Sequence, residues 1–468
     1  MVNFFSQLAM SLSGFIATIV LTRTLGQSQY GTYVVVLSVL SWVLIGGQLG
    51  LPQAVRKRVS EADDGNYIVS GAAVQFALYG VVAICLWIAR PYFNDFMGIE
   101  ATWILIAMLA GQLALGFVQM VLDGQHLVHV SSILSPIEWT SRSIVQIALV
   151  LSGFSIIGAF AGYILGTVVA AAIGAYFITI PNELPSRRDF YRLKSYAQFS
   201  WLGSIKGRTF LSMDTIILAV FVSHSLIAVY EIAWNLASLL AIFGSSISKT
   251  LFPEMSKLSS EGESADQISG LLRVSLAYSG LFIIPGLTGA ALVGDIVLTI
   301  YGSGFEMGYY ILLVLTFARL LYGYMGQFLS TIDALDYPDL TFSVNAIFVA
   351  VNLSLNILLT WQFGWYGAAA ATTLSAGIGL LLGYHYANRV IDVILPVNEI
   401  AKQCLSAGIM ATVVLVARVM VGDSLPVIGV LVIVGATVYF SVLLVLSQEF
   451  RTTVEDNLPF RLPVLSPE

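Results

Sequence analysis

Long apolar runs separated by short polar stretches constrain this chain more than any other feature. They fall near residues 3–22, 32–50, 67–89, 102–122, 131–151, 156–180, 199–222, 228–250, 270–293, 307–331, 341–362, 366–388, 400–421 and 425–446. Each is about twenty residues long, which at about 1.5 Å per residue lets a helix cross a hydrocarbon core roughly 30 Å thick. The runs are apolar on every side rather than alternating, so barrel strands are disfavoured. Charged residues are only 10% of the chain and hydrophobic ones 57%, whereas a soluble domain carries about 25% charged residues. The expected fold is an all-α integral membrane protein with about 14 transmembrane helices. The seventh and ninth runs are the least regular, because charges or a proline interrupt them.

Several function classes recede at this point. Cys85 and Cys404 both fall inside apolar runs, so they suggest neither a disulfide framework nor a metal site. They are expected to be small buried side chains. His126 and His129 lack any metal-ligand constellation. No cofactor, metal or catalytic residue is expected, and nothing suggests a nucleic-acid partner. Met1 to Asn3 carry no basic residue, and the first run passes into TRTLGQSQYG without a small-residue cleavage site, so no cleavable signal is expected.

Orientation follows from the short loops. Arg56, Lys57, Arg58, then Arg187, Arg188, Arg192, Lys194, then Lys257 and Arg389 all follow even-numbered runs, whereas the opposite loops hold little besides Arg23 and Arg90. With Arg451 and Arg461 in the tail, this bias predicts a multi-pass protein of the cytoplasmic membrane with both termini cytoplasmic.

The chain also resembles itself. A slide of 197 residues places Leu21, Ser28 and Tyr33 on Leu218, Ser225 and Tyr230, and a slide of 201 places Pro52 on Pro253. A slide of 209 places Phe154, Gly158, Ala159, Ala161 and Gly174 on Phe363, Gly367, Ala368, Ala370 and Gly383. An even number of helices per repeat preserves topology, so the expectation is two six-helix lobes related by a parallel repeat. These are an N-lobe over 1–195 and a C-lobe over 196–395, followed by a C-terminal helix pair over 396–450 and a cytoplasmic tail over 451–468. Parallel repeats are a transporter architecture in which the substrate site lies between lobes near the midplane.

Charges inside the runs then become informative. Arg142 lies about eleven residues into the fifth run, Arg208 about nine into the seventh and Arg319 about twelve into the tenth, which places all three near mid-bilayer. An arginine there costs about 2.5–3.5 kcal/mol on insertion scales, so a protein partner or a wet cavity is required. Ser131, Ser135, Glu138, Arg142 and Gln146 share one helical stripe expected to face a wet space, with Glu138 and Arg142 spaced to pair. Ser204, Arg208, Ser212 and Thr215 share another, while Lys206 points about 160° away from Arg208 and suits snorkelling toward headgroups. Asp214 falls on neither stripe and would pair with a base across a cavity or tether neighbouring helices. Arginines outnumber carboxylates, and guanidinium forks match phosphate oxygens, so the expected guest is an anionic headgroup. The bland alternative is a salt-bridge lattice locking the lobes. Asn345, Asn352 and Asn356 share a face suited to interhelical hydrogen bonds or to lining a cavity, and small residues as in GAAAATTLSAGIGLLLG would let helices approach closely. LFPEMSKLSSEGESAD, from 251, is expected to be a solvated cytoplasmic loop.

TRTLGQSQYGTY, MDTIILAVFVSHSLIAVYEIAWNL, KTLFPEMSKLSSE and FGWYGAAAATTLS, in that order and spacing, resemble the polysaccharide-transporter (Wzx-type) flippases of the MATE-like MOP superfamily over nearly the whole chain. The resemblance implies a non-enzymatic flippase that moves polyprenyl-phosphate- or pyrophosphate-linked sugars across the membrane by alternating access. It also implies a cationic cavity, supplied here by Arg142, Arg208 and Arg319, with Glu138, Asp214 and Lys206 as further candidate substrate-binding residues. Partners would be the lipid-linked glycan, the bilayer and a possible coupling proton or sodium ion. The alternative is a cation-coupled multidrug exporter of the same superfamily; many of these carry an acidic residue in the first helix, which is missing here, and a cationic cavity suits organic cations poorly. A membrane glycan polymerase or ligase is disfavoured because the outer loops are short and offer chiefly Asp95, Glu100, Asp295 and Glu306.

Overall fold

The computed structural model describes residues 2–61, 65–261, 265–422 and 425–457, apart from the side chains of 2–9, 11, 199, 201–212, 421 and 456–457. Among the described residues the chain is almost wholly helical and has no strand. In order the helices are α1 (Val2–Gln48), α2 (Leu51–Val59), α3 (Tyr67–Ile88), α4 (Arg90–Met97), α5 (Thr102–Gly124), α6 (Val128–Leu149), α7 (Ser155–Tyr176) and α8 (Arg187–Phe221). Then follow α9 (His224–Ser260), α10 (Ala265–Ser279), α11 (Ile283–Thr299), α12 (Tyr309–Ala334), α13 (Pro338–Val390), α14 (Val397–Val421), α15 (Leu425–Leu446) and α16 (Gln448–Asn457).

Ten helical stretches among the described residues are long and apolar enough to cross a membrane, which makes this a multi-pass membrane protein. Three of them, Leu12–Gln48, Val128–Tyr176 and Pro338–Val390, each hold two of the expected runs. They turn at residues with positive φ: Gly26 (φ 70°) in α1, Gly153 (φ 92°) between α6 and α7, and Gly364 (φ 58°) in α13. At each of these residues the backbone leaves helical geometry, so two helices meet at a sharp kink.

Two stretches expected as loops are helical instead. Arg187 to Lys194 form the first turns of α8, nucleated by a capping box in which Ser186 Oγ accepts from the Asp189 N–H and the Asp189 carboxylate accepts from the Ser186 N–H. The stretch from Leu251 stays in α9 as far as Ser260, with Pro253 inside the helix; helix propensity outlasts the apolar run there. Cys85 and Cys404 also depart from expectation, because both are exposed rather than buried.

The described chain forms two compact units. One covers the residues up to Val229 with Tyr301–Ser303; the other covers Tyr230–Ile300 and the residues from Gly304 onward. In the first, Leu51, Ala54 and Val55 of α2 pack with Tyr67 and Ile68 of α3, Val121 of α5 and Leu193 of α8. A second cluster joins Leu115, Val118 and Leu122 of α5 to Leu134 of α6 and Ala170 and Ala171 of α7. Small residues allow the close approach of α7 to α6, since a Cβ at Gly166 would sit 2.6 Å from Cβ of Arg142. In the second unit, α14 and α15 dock on the region where the ninth run breaks, between α10 and α11. Leu281, Ile284 and Val293 meet Ala407, Met410 and Val414 of α14 and Ile428, Leu431, Tyr439 and Leu443 of α15.

The internal repeat is visible in backbone detail. His126 (φ 62°) and Asp336 (φ 63°), 210 residues apart, both occupy the left-handed region at the end of a helix. At each site the next N–H reaches back to a carbonyl five residues earlier, Leu127 to Leu122 and Tyr337 to Ile332. The same offset relates Ser131 Oγ donating to Gln119 O and Thr341 Oγ1 donating to Leu329 O, each at 3.4 Å. Ser155 (φ 50°, ψ −141°) and Gly364 (φ 58°, ψ −140°) repeat one unusual conformation at an offset of 209. Two matching turns and one matching cross-helix bond are strong grounds for two copies of one topology.

Candidate functional site

In the first unit the fifth run, now α6, carries the best-defined charged cluster. Arg142 has a side chain only 11% exposed, and Glu138 one turn earlier pairs with it at 3.6 Å, as the i, i+4 spacing requires. Arg142 Nη2 donates to Tyr33 Oη at 2.9 Å, and the same phenol accepts from Gln146 Nε2 at 2.8 Å. Gln146 also donates to Ala159 O on α7. The guanidinium lies between two aromatic rings, 4.1 Å from the centroid of Tyr163 and 4.8 Å from that of Trp139. Tyr163 is in turn held by a hydrogen bond from Gln112 Nε2 on α5. Four helices therefore fix one arginine, and π faces supply part of the stabilisation that water would otherwise give.

This geometry corrects the expectation of an open polar stripe. Ser131, Glu138 and Gln146 are buried against neighbouring helices, while Ser135 is exposed and accepts from Gln119. The polar face of α6 is a packed junction, buried at both ends and open at Ser135. Its aromatic members Tyr33, Trp139 and Tyr163 carry no distinguishing sequence signal, because aromatic residues are abundant throughout this chain. Only the pairing of Tyr33 with Tyr230 under the internal slide hinted at one of them.

In the second unit Arg319 of α12 uses the same chemistry with different partners. Its guanidinium lies 3.8 Å from the ring centroid of Trp234, and Nη2 donates to Ser238 Oγ at 2.5 Å, both partners being on α9. Each unit thus stacks a midspan arginine on a tryptophan and bonds it to a hydroxyl. Asp214 on α8 is half-buried. Lys206 and Arg208 lie in 201–212, outside the residues whose side chains are described. Asn345 and Asn356 donate within α13, to Thr341 O and Asn352 Oδ1. Among the described residues no cluster of three or more His, Cys, Asp or Glu could hold a metal ion.

Comparison with known proteins places the chain. A model of the family described as "Polysaccharide biosynthesis protein" matches residues 1–259. The chain is 31% identical over 464 residues to "Probable flippase AglR" of Haloferax volcanii, covering 97% of each. It is 29% identical over 449 residues to "Probable low-salt glycan biosynthesis flippase Agl15" of the same organism, covering 94% of each. Its fold matches the solved structure "Lipid II flippase MurJ, inward closed conformation" with a TM-score of 0.80 at 15% identity, over 97% of this chain and 99% of that one. With more than half its length matched by the family and a full-length relative above 30% identity, this chain belongs to the polysaccharide biosynthesis protein family.

Proposed function

We propose that the protein is a flippase that moves polyprenyl-phosphate- or pyrophosphate-linked sugars across the cytoplasmic membrane for glycan biosynthesis. The observation that carries this reading is the similarity to a named flippase along essentially the whole length of both chains. It acts as a transporter and not as an enzyme. Fourteen crossings with both termini cytoplasmic, repeats over 1–195 and 196–395, and an appended pair over 396–450 complete the picture.

Arg142 and Arg319, with Arg208, would take the anionic headgroup, because guanidinium pairs bidentately with phosphate oxygens. Glu138 neutralises Arg142 in the conformation described, so headgroup binding must compete with that carboxylate or coincide with its protonation. Asp214, Lys206 and Glu138 are the further candidates, and a coupled proton or sodium ion would act through Glu138 or Asp214. Alternating access then carries the neutralised headgroup across while the lipid tail stays in the bilayer.

Mass spectrometry of lipids from cells lacking the protein tests this reading. Glycan lipid accumulating on the cytoplasmic side is the expected result and names the cargo. Unchanged glycan lipids, or transport by reconstituted protein of organic cations instead, would remove it.

A further inference from the structure

The second unit holds three buried polar atoms that find no hydrogen-bond partner in the chain: Tyr324 Oη on α12, Gln403 Oε1 on α14 and Tyr439 Oη on α15. Gln403 is 4% and Tyr439 0% exposed. Tyr439 sits within the apolar cluster that docks α14 and α15 on the broken ninth run. Buried polar atoms are paired in the great majority of cases, and each one left bare costs about 1–3 kcal/mol. Three on three helices call for a shared partner.

Geometry locates it beside Gly280, in the turn that separates α10 from α11. A Cβ placed on Gly280 would lie 2.6 Å from Tyr324 Oη and 3.0 Å from Gln403 Oε1, so both atoms are aimed at the space that glycine leaves. Tyr439 packs in one cluster with Leu281 and Ile284, which follow Gly280, and Ile284 itself reaches within 2.7 Å of a Cβ placed there. Gln403 is held in place by its other end, Nε2 donating to Ala277 O at 2.7 Å. The same residue also lines a small cleft of about 10 Å³ with Tyr278, Glu399, Leu443, Ser447 and Phe450, on the α16 side of the unit.

We propose that Gly280, Tyr324, Gln403 and Tyr439 form a bound-water site joining the broken ninth helix to α12, α14 and α15. The ligand set is two phenols, each able to donate or accept, and one carbonyl acceptor. A single water donating to Gln403 Oε1 and one phenol, and accepting from the other, satisfies all three atoms, within the two to four bonds typical of buried water. The three atoms include no carboxylate to neutralise a bound cation, and three oxygens fall short of the six or more that a hard cation takes. The water lets an apolar helix pair stay docked on a helix whose backbone is interrupted.

X-ray radiolytic footprinting of the full-length protein in lipid nanodiscs tests this, because hydroxyl radicals formed at a bound water oxidise the side chains beside it. Tyr439, although fully buried, is expected to be oxidised, and oxidation of Tyr439 and Tyr324 should fall several-fold in G280A, whose methyl fills the site. If G280A does not accumulate as folded protein, Q403L, which removes the acceptor with little change in volume, should show the same fall. Background oxidation of Tyr439 in the parent protein, or equal oxidation in parent and variant, would overturn the proposal. So would protection of the tyrosines by sodium chloride but not by choline chloride, which would assign the site to a cation.

Discussion

Arg142 is where binding and stability can be separated by experiment. Truncating it leaves Glu138 buried without its counter-charge, so R142A is expected to lose about 3–5 kcal/mol, read as a lower melting temperature in detergent. Replacing both partners by neutral side chains of similar volume, E138Q with R142M, should recover most of that loss, because a buried pair contributes little net stability over neutral packing. Transport of lipid-linked glycan in proteoliposomes should remain absent in the double variant. Transport recovering along with stability would show that Arg142 serves folding alone. Y33F removes the hydroxyl that accepts from both Arg142 and Gln146 and is expected to weaken transport less than R142A does.

At the scale of elements, the turns between helices carry opposite expectations at equivalent places. Ser155 and Gly364 share a backbone conformation that glycine adopts freely and side chains resist. S155G should therefore stabilise by relieving strain of about 1 kcal/mol or more, offset in part by the exposed bond from Ser155 Oγ to Gln29. G364A should destabilise by about 1–3 kcal/mol. Thermal unfolding of both variants checks the signs. A second element-level contact is the clasp at Glu61, which accepts from Arg58 and from Arg192, while Arg192 also donates to Tyr67 Oη. The Arg58 hydrogen bond, with further attraction from Arg58 and Arg192, holds the Glu61 carboxyl below its ordinary 4.5. A depressed folded pKa means the clasp stabilises fully above that ordinary value and is lost as pH falls through the lower folded value. E61Q should cost under about 1 kcal/mol at pH 7, because the pair is partly solvated. The difference between E61Q and parent should vanish in acid.

For the whole molecule, topology is the property most open to direct measurement. Cys85 and Cys404 are exposed and free, so replacing both with alanine should change stability by no more than about 0.5 kcal/mol. In that background a single cysteine at Ser60, beside the Arg56–Arg58 cluster, should react with impermeant thiol reagents only from the cytoplasm. One at Gly302 should react only from outside. Ser60 labelled only from outside and Gly302 only from the cytoplasm would reverse the orientation inferred from the basic loops, and labelling of both from one side would overturn the count of crossings between them.

Periodicity and composition alone determined the all-α membrane class, the number of apolar runs and the repeat, because lipid tolerates only backbones that satisfy their own hydrogen bonds, and that demand is written residue by residue. The pairing of Glu138 with Arg142 was legible for the same reason, being local to one helix. What surrounds Arg142 was not: Tyr33, Tyr163 and Gln112 come from three other helices, and no spacing along the chain records which faces meet. Tertiary packing likewise decided that Arg319 lies on Trp234, that the stripe on α6 is mostly enclosed, and that Tyr324 Oη and Gln403 Oε1 meet beside Gly280. Local hydrogen bonding sets where a helix exists, whereas the partner of a buried polar group depends on close packing between helices far apart in sequence.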